Sequence, residues 1–255
     1  MSEIAGRTRI GRGPHGVTVE PVVEGVWLVR GGVPRKVFNV YLIEDDGGVT
    51  VFDAGIKDMV AGVRKAAARF GGITRVVLGH AHEDHRGAAA ELGAPVWCHE
   101  AEQPYAESEL RPMTDYFDVS KLERRLPRAL YPRLLPSWDG GPVRVERTLA
   151  EGDEVAGFLI VHVPGHAPGQ IALFRPSDRV ALTTDAFNVI DSQQFGLRWG
   201  LPPRVPHRAF NYDHELAHES LRKLAELEPA SAWPGHANAL VGDVAAQLRR
   251  AADAG

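Results

Sequence analysis

Short apolar runs, each broken off by a turn rich in Gly, Pro or Asp, constrain the fold of this 255-residue chain more than any other feature. Val26-Trp27-Leu28-Val29, Val37 to Ile43 and Val49-Thr50-Val51-Phe52 have the β-branched and aromatic content of strands. Asp45-Asp46-Gly47-Gly48 joins the last two as a hairpin. Ile56, Met59, Val60, Val63, Ala67 and Phe70 then recur at helical spacing, and Gly71-Gly72 closes that helix. Arg75-Val76-Val77-Leu78 reads as a short buried strand running into Gly79-His80. Strand, helix and strand again predict an α/β architecture.

The second half repeats the pattern. Val143 to Leu149, Phe158 to Val163, Ile171 to Phe174 and Val180 to Thr183 are strand candidates, with Ala232-Trp233 as a last short one. Leu216, Leu221, Leu224 and Leu227 mark an amphipathic helix, and another begins at Val244. No linker-like composition separates the halves, so residues 1–255 are expected to form one domain. Two irregular stretches, 101–141 and 188–213, are long enough to be expected as substrate-pocket elements.

Composition narrows the surroundings. No run approaches the roughly 18 to 20 apolar residues of a membrane span, and Met1 to Gly6 lacks the apolar core of a secretory signal. A single cysteine, Cys98, rules out an internal disulfide and fits a reducing cytosol, so a cytoplasmic location is expected. A net charge of −4 argues against a nucleic-acid partner and leaves a small-molecule substrate as the expectation.

The chemistry is concentrated at strand ends. His80-Ala81-His82-Glu83-Asp84-His85 packs three imidazoles and two carboxylates into six residues directly after a buried strand. Neutral imidazole and carboxylate are natural ligands for a borderline ion such as Zn²⁺. A turn leaving the strand can aim residues 80 and 82 at one ion and 84 and 85 at another. Arg86 to Ala90 looks like the start of a helix. Pro164-Gly165-His166, Thr184-Asp185 and Pro234-Gly235-His236 each put one further ligand type after an apolar run. Taken singly these are turn residues or, for Asp185, a helix N-cap. Jointly they follow the rule that open α/β folds place sites at the carboxyl ends of strands.

The order His-x-His-x-Asp-His, Gly-His, Asp, Gly-His, from His80 to His236, resembles the metallo-β-lactamase superfamily, with similarity from Val26 to Gly242. The resemblance implies a four-layer αββα sandwich with metals at one edge of the sheets. It implies that His80, His82 and His166 bind a first ion, that Asp84, His85 and His236 bind a second, and that Asp185 bridges them. It also implies that Asp53 supports a ligand histidine from behind. Two zinc ions are the expected cofactors, with iron or manganese as substitutes. The reaction so implied is hydrolysis of a small ester, lactone or thioester by a metal-bridging hydroxide, with Asp84 handling the proton. Lactonases of this superfamily carry a tyrosine three residues past the bridging aspartate, where this chain has Asn188. Persulfide dioxygenases share the fold but use one iron, which leaves iron-dependent oxidoreduction as the alternative. A non-catalytic metal-binding protein is a third reading.

Several other residues invite a role. Trp138, Phe195, Arg198 and Trp199 lie in the irregular stretches and are candidate substrate contacts. His214-Glu215-Leu216-Ala217-His218 matches the His-Glu-x-x-His motif of zinc peptidases. The leucines of that helix instead predict a core-covering face with the histidines solvated. Cys98 reads as a small buried hydrophobe and His162 as a structural strand residue.

Overall fold

The structure, a computed structural model, describes residues 8–11, 16–33, 36–109, 116–194 and 198–254. The chain divides into two compact units that interleave in sequence. One takes residues 1–98, 103–112 and 135–148, and the other takes 99–102, 113–134 and 149–255.

The first unit is built on one sheet with its strands in sequence order: β1 (Thr8–Ile10), β2 (Val17–Val23), β3 (Val26–Gly31), β4 (Phe38–Asp45), β5 (Gly48–Phe52), β6 (Ile73–Val77), β7 (Val96–His99) and β8 (Val145–Leu149). β1 to β5 are antiparallel, and the β4–β5 hairpin turns where Asp45 pairs with Gly48. β5, β6 and β7 are parallel, so a crossover must join β5 to β6. The helical-period segment supplies it as α1 (Val60–Ala67), flanked by 3₁₀ turns and stopped at Gly71, whose φ is +102°. α1 lays Val63, Ala66 and Ala67 into the cluster formed by Val17, Val19, Val40, Leu42 and Val51. Leu28, Tyr41, Ile43 and Phe52, on the other face of the sheet, are buried as well. Burial of both faces explains why these strands read as continuous apolar runs rather than as alternation. Three short helices follow in this unit: α2 (Glu83–Arg86), α3 (Ala89–Leu92) and α4 (Gln103–Ala106).

The stretch 101–141 is more ordered than its sequence predicts. It contains α5 (Arg125–Trp138), whose residues are shared between the two units. Pro132 and Pro136 make this segment read as loop, since an interior proline costs a helix about 3 kcal/mol. Pro127, Tyr131 and Leu135 are its buried positions, four residues apart on one face, and their burial offsets the missing hydrogen bonds.

The second unit carries a six-stranded sheet in the order β16-β15-β12-β11-β10-β9. Its strands are β9 (Glu154–Val155), β10 (Phe158–His162), β11 (Ile171–Arg175), β12 (Val180–Thr184), β15 (Ser231–Pro234) and β16 (Leu240–Val241), and a separate ribbon pairs β13 (Asn188–Ile190) with β14 (Trp199–Arg204). β12 and β15 are parallel and the other neighbours in the main sheet antiparallel. α6 (His214–Glu226) and α7 (Val244–Asp253) each start on an aspartate N-cap, Asp213 and Asp243. They share a core of Leu221, Leu224, Leu248 and Ala251. Among the described residues no helix is long and apolar enough to cross a membrane.

Candidate metal centre

In the first unit, β6 ends at Val77, and the chain turns through Leu78-Gly79 into His80. His80, His82 and His85 are all buried. Nε2 of His80 lies 3.0 Å from Nδ1 of His82, and the rings of His80 and His85 have centroids 4.0 Å apart. Two neutral imidazole nitrogens at that distance repel unless a proton or a cation lies between them, so this donor set fits a divalent ion. The helix begins earlier than the sequence predicts: α2 opens at Glu83 with His82 as N-cap, which puts Asp84 and His85 in its first turn. Asp84 Oδ1 stands 3.9 Å from His85 Nε2.

Asp53 leaves β5 with φ at +57° and is fully buried. Its Oδ1 accepts from the Gly79 backbone N–H at 2.7 Å, and its Oδ2 lies 2.8 Å from His85 Nδ1. A carboxylate only accepts, so Nδ1 of His85 carries the hydrogen and Nε2 is left as the basic nitrogen. The neighbouring Arg86 anchors the whole segment. Its buried guanidinium makes a two-pronged bond to Asp139 at 3.1 and 2.8 Å and donates to the carbonyls of Tyr105, Ala106 and Ser108.

Glu83, also buried, has a different character. Desolvation pushes its carboxyl up from 4.5 to about 7, against the pull of its own backbone N–H, with Asp84 adding to the rise. Between about pH 4.5 and pH 7 the folded chain therefore holds a proton that the unfolded chain has released. Glu83's own contribution to stability therefore falls as pH rises through that window, by about 3 kcal/mol. In metal-free protein, Glu83→Gln should remove this slope. Denaturation at pH 5 and pH 8 should find the variant gaining about 3 kcal/mol on the wild type between the two. An equal gap at both values would mean that ionised Glu83 is compensated.

In the second unit, topology supplies the convergence. β12 and β15 are parallel neighbours with Thr184 opposite Pro234, so Asp185 and His236 leave the same edge of the sheet. Asp185 Oδ2 lies 3.1 Å from His236 Nε2 and 3.6 Å from His166 Nε2, a carboxylate oxygen set between two imidazoles. The backbone is strained beside both residues, with φ at +44° for Thr184 and +60° for Ala237. A bond from Gly235 N–H to the Thr184 carbonyl, 2.7 Å, helps hold that geometry. His166 sits in a turn after β10 that α6 clamps. Asp213 N–H donates to the Gly165 carbonyl at 2.8 Å, and the Ser220 hydroxyl donates to the Pro164 carbonyl at 2.6 Å. His162 donates from Nε2 to the Pro168 carbonyl at 3.1 Å, so it braces the same turn. The sequence offers little to single out Asn211, a buried residue whose Oδ1 is 3.1 Å from His166 Nδ1. Its only signal is a position just ahead of the Asp213 N-cap.

The remaining candidates are placed as follows. Trp138 is half-buried and packs edge-on against Phe38 at 5.2 Å in the first unit. Arg198 is exposed, Trp199 belongs to β14, and Phe195 lies outside the described residues. A cavity of about 430 Å³ in the second unit is lined by Asn188, Arg204, His207, His214 and His218, among others, from the stretch 188–213 and from α6. The expectation that both histidines of the His-Glu-x-x-His match are solvated is corrected. His218 is buried, with Nδ1 2.6 Å from the Ala252 carbonyl, because α7 packs over that face of α6. Cys98 is buried in the core of the first unit.

The sequence profile of the metallo-β-lactamase superfamily matches residues 36–236. The chain is 30% identical over 235 residues to the probable metallo-hydrolase YflN of Bacillus subtilis (strain 168), an alignment that spans 83% of this chain and 84% of that one. Among solved structures it is similar to the metallo-β-lactamase family protein TTHA1429 from Thermus thermophilus, with a TM-score of 0.65 and 22% identity over 92% of this chain and 79% of the other. TTHA1623, solved in a di-iron-bound form, matches with a TM-score of 0.59 and 25% identity over 88% and 97%. The chain therefore belongs to the metallo-β-lactamase superfamily, a class of metal-dependent hydrolases, and has its α/β sandwich fold.

Proposed function

We propose that the chain is a dinuclear metal hydrolase acting on a small ester, lactone or thioester, with zinc as its ion. His80, His82 and His166 would hold one ion, Asp84, His85 and His236 the other, and Asp185 would bridge them. One observation carries the reading: each unit has already assembled its share of ligand atoms, with His80 and His82 nitrogens 3.0 Å apart in one and Asp185 between two imidazoles in the other. Two divalent ions so held would acidify a water and polarise the scissile carbonyl, so no serine or cysteine nucleophile is needed. The chain's own groups do the rest. Asp53 orients His85, and Asp84, the less buried carboxylate of the motif, takes the proton of the attacking water and returns it to the leaving group. Substrate selection would fall to the stretch 188–213, part of which lines the cavity beside β13 and α6.

Metal analysis by emission spectroscopy after mild dialysis should find two equivalents of zinc per chain. The same protein should turn over members of a lactone, thioester, phosphodiester and β-lactam panel, with the first two preferred. A firm stoichiometry of one, unchanged by added zinc, would sink the dinuclear centre. The di-iron form of TTHA1623 favours iron as a second reading of the metal, and bound iron with oxygen uptake would establish it.

A further inference from the structure

His166 and the first residue of α6 are joined through one amide. Asn211 Nδ2 lies 2.9 Å from the Pro206 carbonyl oxygen and 2.7 Å from His214 Nδ1, while Oδ1 lies 3.1 Å from His166 Nδ1. The Pro206 carbonyl can only accept, so the nitrogen end of the amide must face it, because the flipped amide would set two oxygens against each other. With the nitrogen there, its second hydrogen goes to His214 Nδ1, and the oxygen is turned to His166. His166 Nδ1 must then carry the hydrogen, and the ring's basic nitrogen is Nε2, the atom 3.6 Å from Asp185 Oδ2. His214 Nδ1 must likewise be an acceptor, which requires a neutral ring with its hydrogen on Nε2. Burial lowers the His214 pKa, consistent with that form.

We infer that Asn211 is a positioning residue for the metal centre: it locks His166 in the tautomer that offers Nε2, and Pro206 and His214 lock Asn211. The inference rests on the reading of His166 as a ligand. It also gives the first histidine of the His-Glu-x-x-His match a role other than ligation. A merely structural Asn211 would fill space beside His166 without setting its tautomer. Only a group with an acceptor on one end and two donors on the other satisfies all three neighbours at once. An outer-layer hydrogen bond of this kind is typically worth about 10- to 100-fold in metal affinity.

The test reads the tautomer directly, in metal-free ¹⁵N-labelled protein, by long-range proton–nitrogen correlation of the imidazoles, with His166 assigned through His166→Gln. Wild-type His166 should show a protonated Nδ1 and a basic Nε2. Asn211→Leu should lose this single form and weaken zinc binding, measured by chelator competition, by about 10- to 100-fold. Asn211→Asp restores an acceptor to His166 Nδ1 and should recover the tautomer, at a cost in stability because its second oxygen then faces the Pro206 carbonyl. A wild-type His166 protonated on Nε2 would overturn the inference even if Asn211→Leu failed to fold. So would an Asn211→Leu protein unchanged in both tautomer and zinc affinity. Failure of the wild type to bind zinc, with His166 in the Nδ1–H form, would instead overturn the metal centre and leave the tautomer lock standing.

Discussion

Asp84→Asn should fold as the wild type does and lose about 10²- to 10⁴-fold in kcat. The side chain sits in the first turn of α2, where Oδ1 is 3.9 Å from His85 Nε2, and the helix around it is fixed by Arg86 rather than by Asp84. Asparagine keeps the shape and one oxygen, so the fold and the metal proposed at His80, His82 and His166 should survive. It removes the charge, which weakens the second ion's site, and the basicity, which the proposed proton transfer needs. Excess zinc should therefore restore occupancy and only part of the rate. The measurement is kcat on a hydrolysed lactone or thioester, with metal content determined on the same samples. Wild-type turnover by a fully metallated variant would show that the proton is handled elsewhere.

Gly165→Ala should be the most damaging single methyl in the second unit. Gly165 has φ at +130°, a conformation that L residues rarely adopt, and a Cβ built on it would lie 2.2 Å from the backbone nitrogen of Ala217 and 2.4 Å from its Cα. Neither is the end of a flexible side chain, so α6 and the turn must part. Positive-φ strain costs of order 1 to 3 kcal/mol, and forced overpacking costs about as much again. Urea denaturation should register a loss of about 3 kcal/mol or more. Because His166 follows directly, the same variant should bind zinc with lower affinity at temperatures where it remains folded. A stable variant with unchanged zinc binding would mean that the turn can shift without moving His166.

The strongest parts of this architecture were legible along the chain because they depend on local physics. β-branched runs, the hairpin at Asp45 to Gly48, the helical spacing from Ile56 to Phe70 and the Gly71-Gly72 stop each act within a few residues. His80, His82, Asp84 and His85 are crowded into one turn, so their clustering is visible without any tertiary information. The ordered motifs at later strand ends then carried the resemblance, which points to His166, Asp185 and His236.

What stayed hidden depends on contacts that no local pattern encodes. α5 accommodates two interior prolines, Pro132 and Pro136, while burying Tyr131 and Leu135, and the sequence cannot say which face of a segment will find a core. His218 reads as a solvated residue until α7 covers it. Asn211 is an ordinary residue before a helix cap until the chain folds it against His166, 45 positions away. The amide's orientation, and with it the tautomer of His166, is set by one carbonyl at Pro206 and one imidazole at His214. By itself the sequence determined which residue types stand at the strand ends, because those choices are local. Tertiary structure alone decided how their nitrogens point, since a ring's tautomer is set by whatever donor or acceptor the fold brings to its far side.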